Sequence, residues 1–133
     1  MDLNSNPIFN AKDFPGKKGI DKIQNAIDSA QNETERRTVV ISPQGPDQNG
    51  KWFLDRAIKL PENTLLILNN CYLYLEDKVN DNIITNKEHH NRTRNIHILG
   101  WGKPRSNGNA INQNRTNNRF MFVIHLVRVD NFS

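Results

Sequence analysis

The sequence predicts an all-β solenoid of about three coils, closed at one end by a single amphipathic α-helix. Three observations carry that expectation. One short β-rich pattern recurs at Thr38-Val-Val-Ile-Ser42, Thr64-Leu-Leu-Ile-Leu68, Asn95-Ile-His-Ile-Leu99 and Val123-Ile-His-Leu-Val127, with starts 26, 31 and 28 residues apart. A strand repeated at that period marks units that stack, each covering the next. The stretch Leu60 to Leu75 reads as strand, corner, strand, with Asn69-Asn70 as the corner, because Asn tolerates left-handed backbone angles and bonds its own backbone. Finally, one helical pattern precedes the first strand, where an open end of a stack needs a lid.

Taken in order, the chain is expected to form one domain over residues 1–133, with a lead-in at 1–19, a capping helix at 20–31 and coils over 38–133. The lead-in holds Pro7, Pro15, Gly16 and Gly19 around a short extended piece, Ile8 to Ala11. Asp21 to Ala30 reads as the helix, with Asp21 capping it, Gln24 completing the capping-box spacing, and Ile20, Ile23, Ile27 and Ala30 on one face. Such a short helix is unstable alone and must lie on something apolar. Pro43 to Gly50 is dense in turn formers, and Lys51 to Leu54 returns as a strand. Cys71, Leu73 and Leu75 alternate with Tyr72 and Tyr74, placing the tyrosines outward. Asn80 to Arg94 reads as a loop leaving the stack, and Gly100-Trp101-Gly102 as a tight turn. Lys103 to Asn118 is a second polar tract, and Phe120 to Phe132 a dense β run. The run ends without Gly, Pro or a closing helix, so the last coil is expected to be cut open and prone to self-association.

Composition narrows the function classes. A chain of 133 residues with net charge +4 and 35% hydrophobic residues suits one modest core and excludes a large second domain. No apolar run approaches the ~20 residues a membrane span requires, and the first residues lack a signal peptide's pattern. The single Cys71 excludes an intrachain disulfide and sits where a small buried hydrophobe belongs. Lys87, Arg92, Arg94, Lys103, Arg105, Arg115 and Arg119 form a basic excess able to attract a polyanion. With only Trp101 and Phe120 among them, a nucleic-acid platform is not expected.

The chemistry-bearing residues suit ordinary structural roles better than catalysis, and four of them could also touch a sugar. Glycoside hydrolysis needs two facing carboxylates ~5 to 9.5 Å apart. Asp77 and Asp81, beside Glu76, are the nearest pair, and Asp47 and Asp55 flank the Trp52 strand, yet loop positions suit them all. His97 and His125 hold matching places in the third and fourth copies and are expected to stack outward about 4.8 Å apart as a surface ladder. No third ligand makes them a zinc site, nor need His89 and His90 converge. Tyr72 and Tyr74 are candidate sugar-stacking faces, with Trp52 and Trp101 behind them. The candidate glycan contacts are therefore Tyr72, Tyr74, His97 and His125; no catalytic residue, metal or cofactor is assigned.

Asn10-Ala-Lys-Asp-Phe14, Asp21-Lys-Ile-Gln-Asn-Ala-Ile-Asp-Ser-Ala30 and Thr38-Val-Val-Ile-Ser-Pro43 together resemble the opening of the pectate-lyase-like right-handed parallel β-helix superfamily. Leu60-Pro-Glu-Asn-Thr-Leu65 looks like its early coils, and Asn95-Ile-His-Ile-Leu-Gly-Trp-Gly102 is similar to a coil of polygalacturonase-like glycoside hydrolases. The resemblance implies a right-handed parallel β-helix with a capping helix, a secreted setting, and a polysaccharide hydrolase or lyase acting on a pectin-like substrate. The departures are in the chemistry. Gly16-Lys-Lys-Gly-Ile-Asp21 keeps one acid of an acidic stretch, the family's N-T-D, paired-Asp, G-H-G and R-I-K motifs are absent, and no Ca²⁺-binding set is assignable. The expectation is the N-terminal part of a carbohydrate-active protein without its catalytic coils. The alternatives are a non-catalytic glycan-binding or adhesion module, or a structural remnant of a truncated gene.

Overall fold

The computed structural model describes residues 8–30, 37–77, 79, 81–107, 124–125 and 129–132. Its strands make three sheets, and every pairing is parallel. The first sheet runs β1 (Ile8–Asn10), β2 (Arg37–Ile41), β5 (Thr64–Asn69), β8 (Thr93–Trp101) and β11 (Val129–Phe132). A second joins β3 (Trp52–Leu54), β6 (Tyr72–Leu75) and β9 (Arg105–Ser106). The third joins β4 (Ile58–Leu60), β7 (Ile84–Asn86) and β10 (Ile124–His125). From β2 onward the chain visits the three sheets in rotation.

Alternation along each strand builds the core. Val39 and Ile41, Trp52 and Leu54, Ile58 and Leu60, Leu66 and Leu68, and Leu73 and Leu75 turn inward into one buried cluster. Trp52 is fully buried, and its indole Nε1–H donates to the Ser42 carbonyl at 2.8 Å, so it belongs to the core and offers no face to a sugar. Cys71 joins this core, and burial pushes its thiol up to about 12.

The helix α1 (Gly19–Ala30) contributes Ile20, Ile23, Ala26, Ile27 and Ala30 to the same cluster. Losing one of these isoleucine side chains to Ala would cost about 2–5 kcal/mol at a site so enclosed. Its N-terminus is capped differently from the sequence expectation. Asp21 accepts from the Lys18 backbone N–H at 3.2 Å, and Asp47, from a distant loop, accepts from Gly19 N–H at 2.9 Å. Gln24 caps nothing. Its amide faces β4, accepting from Lys59 N–H and donating to Lys59 C=O, both at 3.0 Å, as a neighbouring strand would.

These facts correct the expected all-β, right-handed parallel β-helix solenoid. The fold is mixed α/β, a 12-residue helix packed with several short parallel sheets. The helix supplies five of the core's buried side chains and bonds to loop and strand, so it is a structural layer and more than a lid on an all-β body. The four copied segments also fail to stack as one column. Arg37 pairs with Thr64 and Thr64 with Ile96, which slips the aligned starts by one residue at each step. The fourth copy leaves the column: Ile124 and His125 pair with Ile84 and Thr85 in the third sheet, and Val129–Phe132 lies beside β8 instead. The expected loop at 80–94 contains a strand, because Ile83 and Ile84 are fully buried. The lead-in likewise adds β1 to the first sheet and buries Ala11.

Asn residues turn the corners. Asn63, Asn70 and Asn95 have φ of 59°, 49° and 58°, the left-handed region where Asn is tolerated. The Asn95 side-chain amide donates to the Asn63 side-chain oxygen at 3.0 Å, stacking one corner on the next. Among the described residues, no helix is long and apolar enough to cross a membrane.

Candidate functional site

The residues that alternate with the core on β3, β6 and β9 form the outer face of the second sheet. Register sets the arrangement: Trp52 pairs with Leu73 and Phe53 with Tyr74, while Tyr72 pairs with Arg105. Lys51, one residue before β3, therefore falls beside Tyr72. The result is a column of cation, aromatic ring and cation. Lys51 Nζ lies 5.0 Å and the Arg105 guanidinium carbon 5.0 Å from the centre of the Tyr72 ring. Lys51 Nζ is also 4.8 Å from the Tyr74 ring, which packs on Phe53 at 5.2 Å and stands 6.2 Å from Tyr72. Cations at these positions are attracted by the negative ring faces, about 0.5–1 kcal/mol each where exposed.

Two hollows open on this face and share Lys51 as a wall. One, of about 330 Å³, lies under the 43–50 loop and is lined by Gln44, Asn49, Asn70, Tyr72 and Arg105. The other, of about 370 Å³, is lined by Gln48, Phe53, Tyr74, Glu76 and Asp77. The loop between them is held by its own backbone, with Gly45 N–H donating to Gly50 C=O at 2.7 Å and Asp47 N–H to Lys51 C=O at 3.1 Å. Gly50 has φ 73°, the left-handed region where a side chain is strained, so glycine suits this wall. The Asp47 carboxylate points at the backbone, accepting from Phe53 N–H at 2.6 Å as well as from Gly19.

The two hollows differ in charge. Lys51 and Arg105 line the first, and no acid does. Beyond the second, Glu76 pairs with Lys18 at 3.0 Å, Lys18 reaches Asp55 at 3.6 Å, and Arg56 bridges Asp55 and Asp21. The hydrogen bond from Lys18 to Glu76 raises the lysine's pKa, and the Arg56 hydrogen bond lowers that of Asp21. The Tyr74 hydroxyl donates to Asp77 at 3.3 Å; burial, then the Asp77 charge, raise its pKa.

Of the four residues singled out from sequence, Tyr72 and Tyr74 come together here. His97 and His125 do not. His97 lies on β8 opposite Leu65 in the first sheet, and His125 lies on β10 opposite Thr85 in the third. The expected His97–His125 ladder is corrected, because the strand that follows β8 in its column is β11. The tyrosines also differ from bare stacking platforms, since Lys51 and Arg105 occupy their faces. Trp101 is exposed at the end of β8, where its C=O accepts from Asn70 N–H at 2.7 Å, but it lines neither hollow. Asp81 is committed to structure, accepting from Ala57 N–H at 3.0 Å. His89 Nε2 lies 2.8 Å from Asn86 C=O, and among the described residues no three His, Cys, Asp or Glu side chains are grouped to hold a metal.

Sequence reading missed Lys51 and saw Arg105 only as part of a diffuse basic excess. From sequence, Lys51 to Leu54 reads as a strand with Trp52 as a candidate outward face, whereas Trp52 and Leu54 are buried and Lys51 and Phe53 alternate with them. What that reading lacked was the register that sets three separate segments side by side. Compared with models of protein families, with curated proteins and with solved structures, the chain matches none.

Proposed function

We propose that the protein binds an acidic polysaccharide in the groove over Tyr72 and does so without cleaving it. The observation that carries this reading is the Lys51–Tyr72–Arg105 column. Two cations held on an aromatic ring, at the mouth of a hollow lined by side-chain amides, suit a sugar that carries a carboxylate and hydroxyls. The segments that resemble carbohydrate-active proteins, among them Leu60 to Leu65 and Asn95 to Gly102, are compatible with that ligand class. Binding without turnover is favoured by the commitments of the nearby acids: Glu76 to Lys18, Asp77 to Tyr74 and Asp81 to a backbone amide.

Calorimetric titration with acidic and neutral oligosaccharides of equal length tests this. Acidic chains should bind and neutral ones should not, and Arg105→Ala should weaken binding about tenfold, as expected for losing a hydrogen bond to a charged group. Equal binding of neutral chains, or no effect of Arg105→Ala, would refute the site. Release of reducing ends or unsaturated products from pectic substrates would refute the non-cleaving part.

A further inference from the structure

We infer that the groove selects polysaccharides by the spacing of their charge, taking chains with an anionic group on every second sugar over chains charged on every sugar. This rests on the acidic-polysaccharide reading above and narrows its ligand.

The argument starts from the wall the two hollows share. Lys51 is the cation that lines both, with its Nζ 5.0 Å from the Tyr72 ring and 4.8 Å from the Tyr74 ring, so one ammonium is shared between the two. Around Tyr72 it is joined by Arg105, so an anionic group placed there meets two cations and no acid. Around Tyr74 the surroundings reverse. Glu76 and Asp77 line that hollow, and the ion-pair network behind it sets Asp21, Asp55 and Glu76 against Lys18 and Arg56. With Asp77 and the shared Lys51 included, carboxylates outnumber cations at that end four to three, whereas around Tyr72 there are two cations and no acid.

The rings of Tyr72 and Tyr74 stand 6.2 Å apart, on the scale of one sugar unit. A chain laid along β6 therefore puts one unit against Lys51 and Arg105, and its neighbour against Glu76 and Asp77. The second unit is favoured when it brings hydroxyl or amide hydrogens, which carboxylates accept. It is disfavoured when it brings a second carboxylate. Two exposed like charges at contact distance each weaken binding about threefold in water, so a uniformly charged chain should bind about tenfold more weakly than an alternating one.

The experiment titrates the whole chain with two probes of equal length. Hyaluronan oligosaccharides carry a carboxylate on alternate sugars, and fully de-esterified oligogalacturonate carries one on each. The expected result is tighter binding of hyaluronan by about tenfold, with the difference erased in the Glu76→Gln/Asp77→Asn double variant through a gain for oligogalacturonate alone. Should the double variant fail to fold, Asp77→Asn by itself should recover about threefold for oligogalacturonate. Equal affinity of the two probes for the unaltered protein overturns the inference and leaves the acidic-polysaccharide reading standing. Binding of neither probe overturns both.

Discussion

Gln24 offers a direct test of how the helix is fastened to the sheets. Its side-chain amide makes two hydrogen bonds to the Lys59 backbone, each 3.0 Å, on the edge of β4 that faces α1. Replacing it with Met keeps length and helix propensity while removing both bonds, along with an exposed one from the Gln24 amide to Asp28 at 3.2 Å. A net protein hydrogen bond is worth about 0.5–1.5 kcal/mol, and water reaches these groups when the amide is gone, so the pair should cost about 1–2 kcal/mol. For a chain of this size that is a fall in melting temperature of about 4–8 °C. Gln24→Glu separates the two bonds. The carboxylate still accepts from Lys59 N–H but faces Lys59 C=O with no proton to give. When protonated it can donate to Lys59 C=O or to the Asp28 carboxylate, which lies 3.2 Å from the Gln24 amide and opposes a second charge there, so its folded pKa is raised above the ordinary ~4.3. A raised pKa places the stabilising contribution below the unfolded value, and it is lost as pH rises through the folded one. The Glu variant should therefore lose stability relative to the unaltered protein between about pH 4 and 7. Thermal melts across pH, with hydrogen exchange at the Lys59 amide, measure both effects. A Met variant as stable as the original, with an equally protected Lys59 amide, would refute the reasoning.

Two further outcomes follow from the ionisable groups. The Arg56 hydrogen bond lowers the Asp21 pKa, so its contribution is present above the unfolded value and lost as pH falls through the lower folded value. As an exposed pair it should be worth no more than about 0.5 kcal/mol, and Asp21→Asn should flatten acid unfolding below about pH 4 by that amount in a pH series of denaturant melts. Cys71 is buried with its thiol pushed up to about 12, so iodoacetamide at pH 8 should label it only as fast as the protein unfolds. Rapid labelling of the folded chain would contradict its place in the core.

The inward and outward assignment of residues was legible because it depends on neighbours in sequence. Leu73 and Leu75 against Tyr72 and Tyr74 is a period of two, and Ile20, Ile23, Ile27 and Ala30 a period near 3.6, and both faces fall where those periods put them. Which strands stand side by side was only partly legible. Thr38 and Thr64 look alike, yet the pairing sets Arg37 against Thr64, since register is chosen by burial of whole faces and by corners such as Asn63. The Val123 copy misled because its apolar pattern serves a strand of any of the three sheets equally well. Gln24 misled for a related reason: its spacing from Asp21 fits a capping box, but the open edge of β4 competes for the same amide. Ile83 and Ile84 were hidden by polar flanks, a pair too short to announce a strand.

The groove follows from the same stacking rule that forms the core. Parallel strands lie about 4.8 Å apart, so residues in register form columns, and two like charges on adjacent rungs would repel at short range. The second sheet avoids this by placing Tyr72 between Lys51 and Arg105. Two rungs of separation bring the cations to about a Debye length apart, and each is drawn to the ring between them. An aromatic rung thus lets one column display two positive charges without straining the sheet. The three segments that supply it are the turn-rich loop before β3, the strand after the Asn70 corner and the short β9, so Lys51, Tyr72 and Arg105 have no common motif and meet only through register. Binding at this face would then depend on the pairing of β3, β6 and β9 as much as on the side chains themselves, because a slip of one residue would turn Tyr72 inward and Leu73 out.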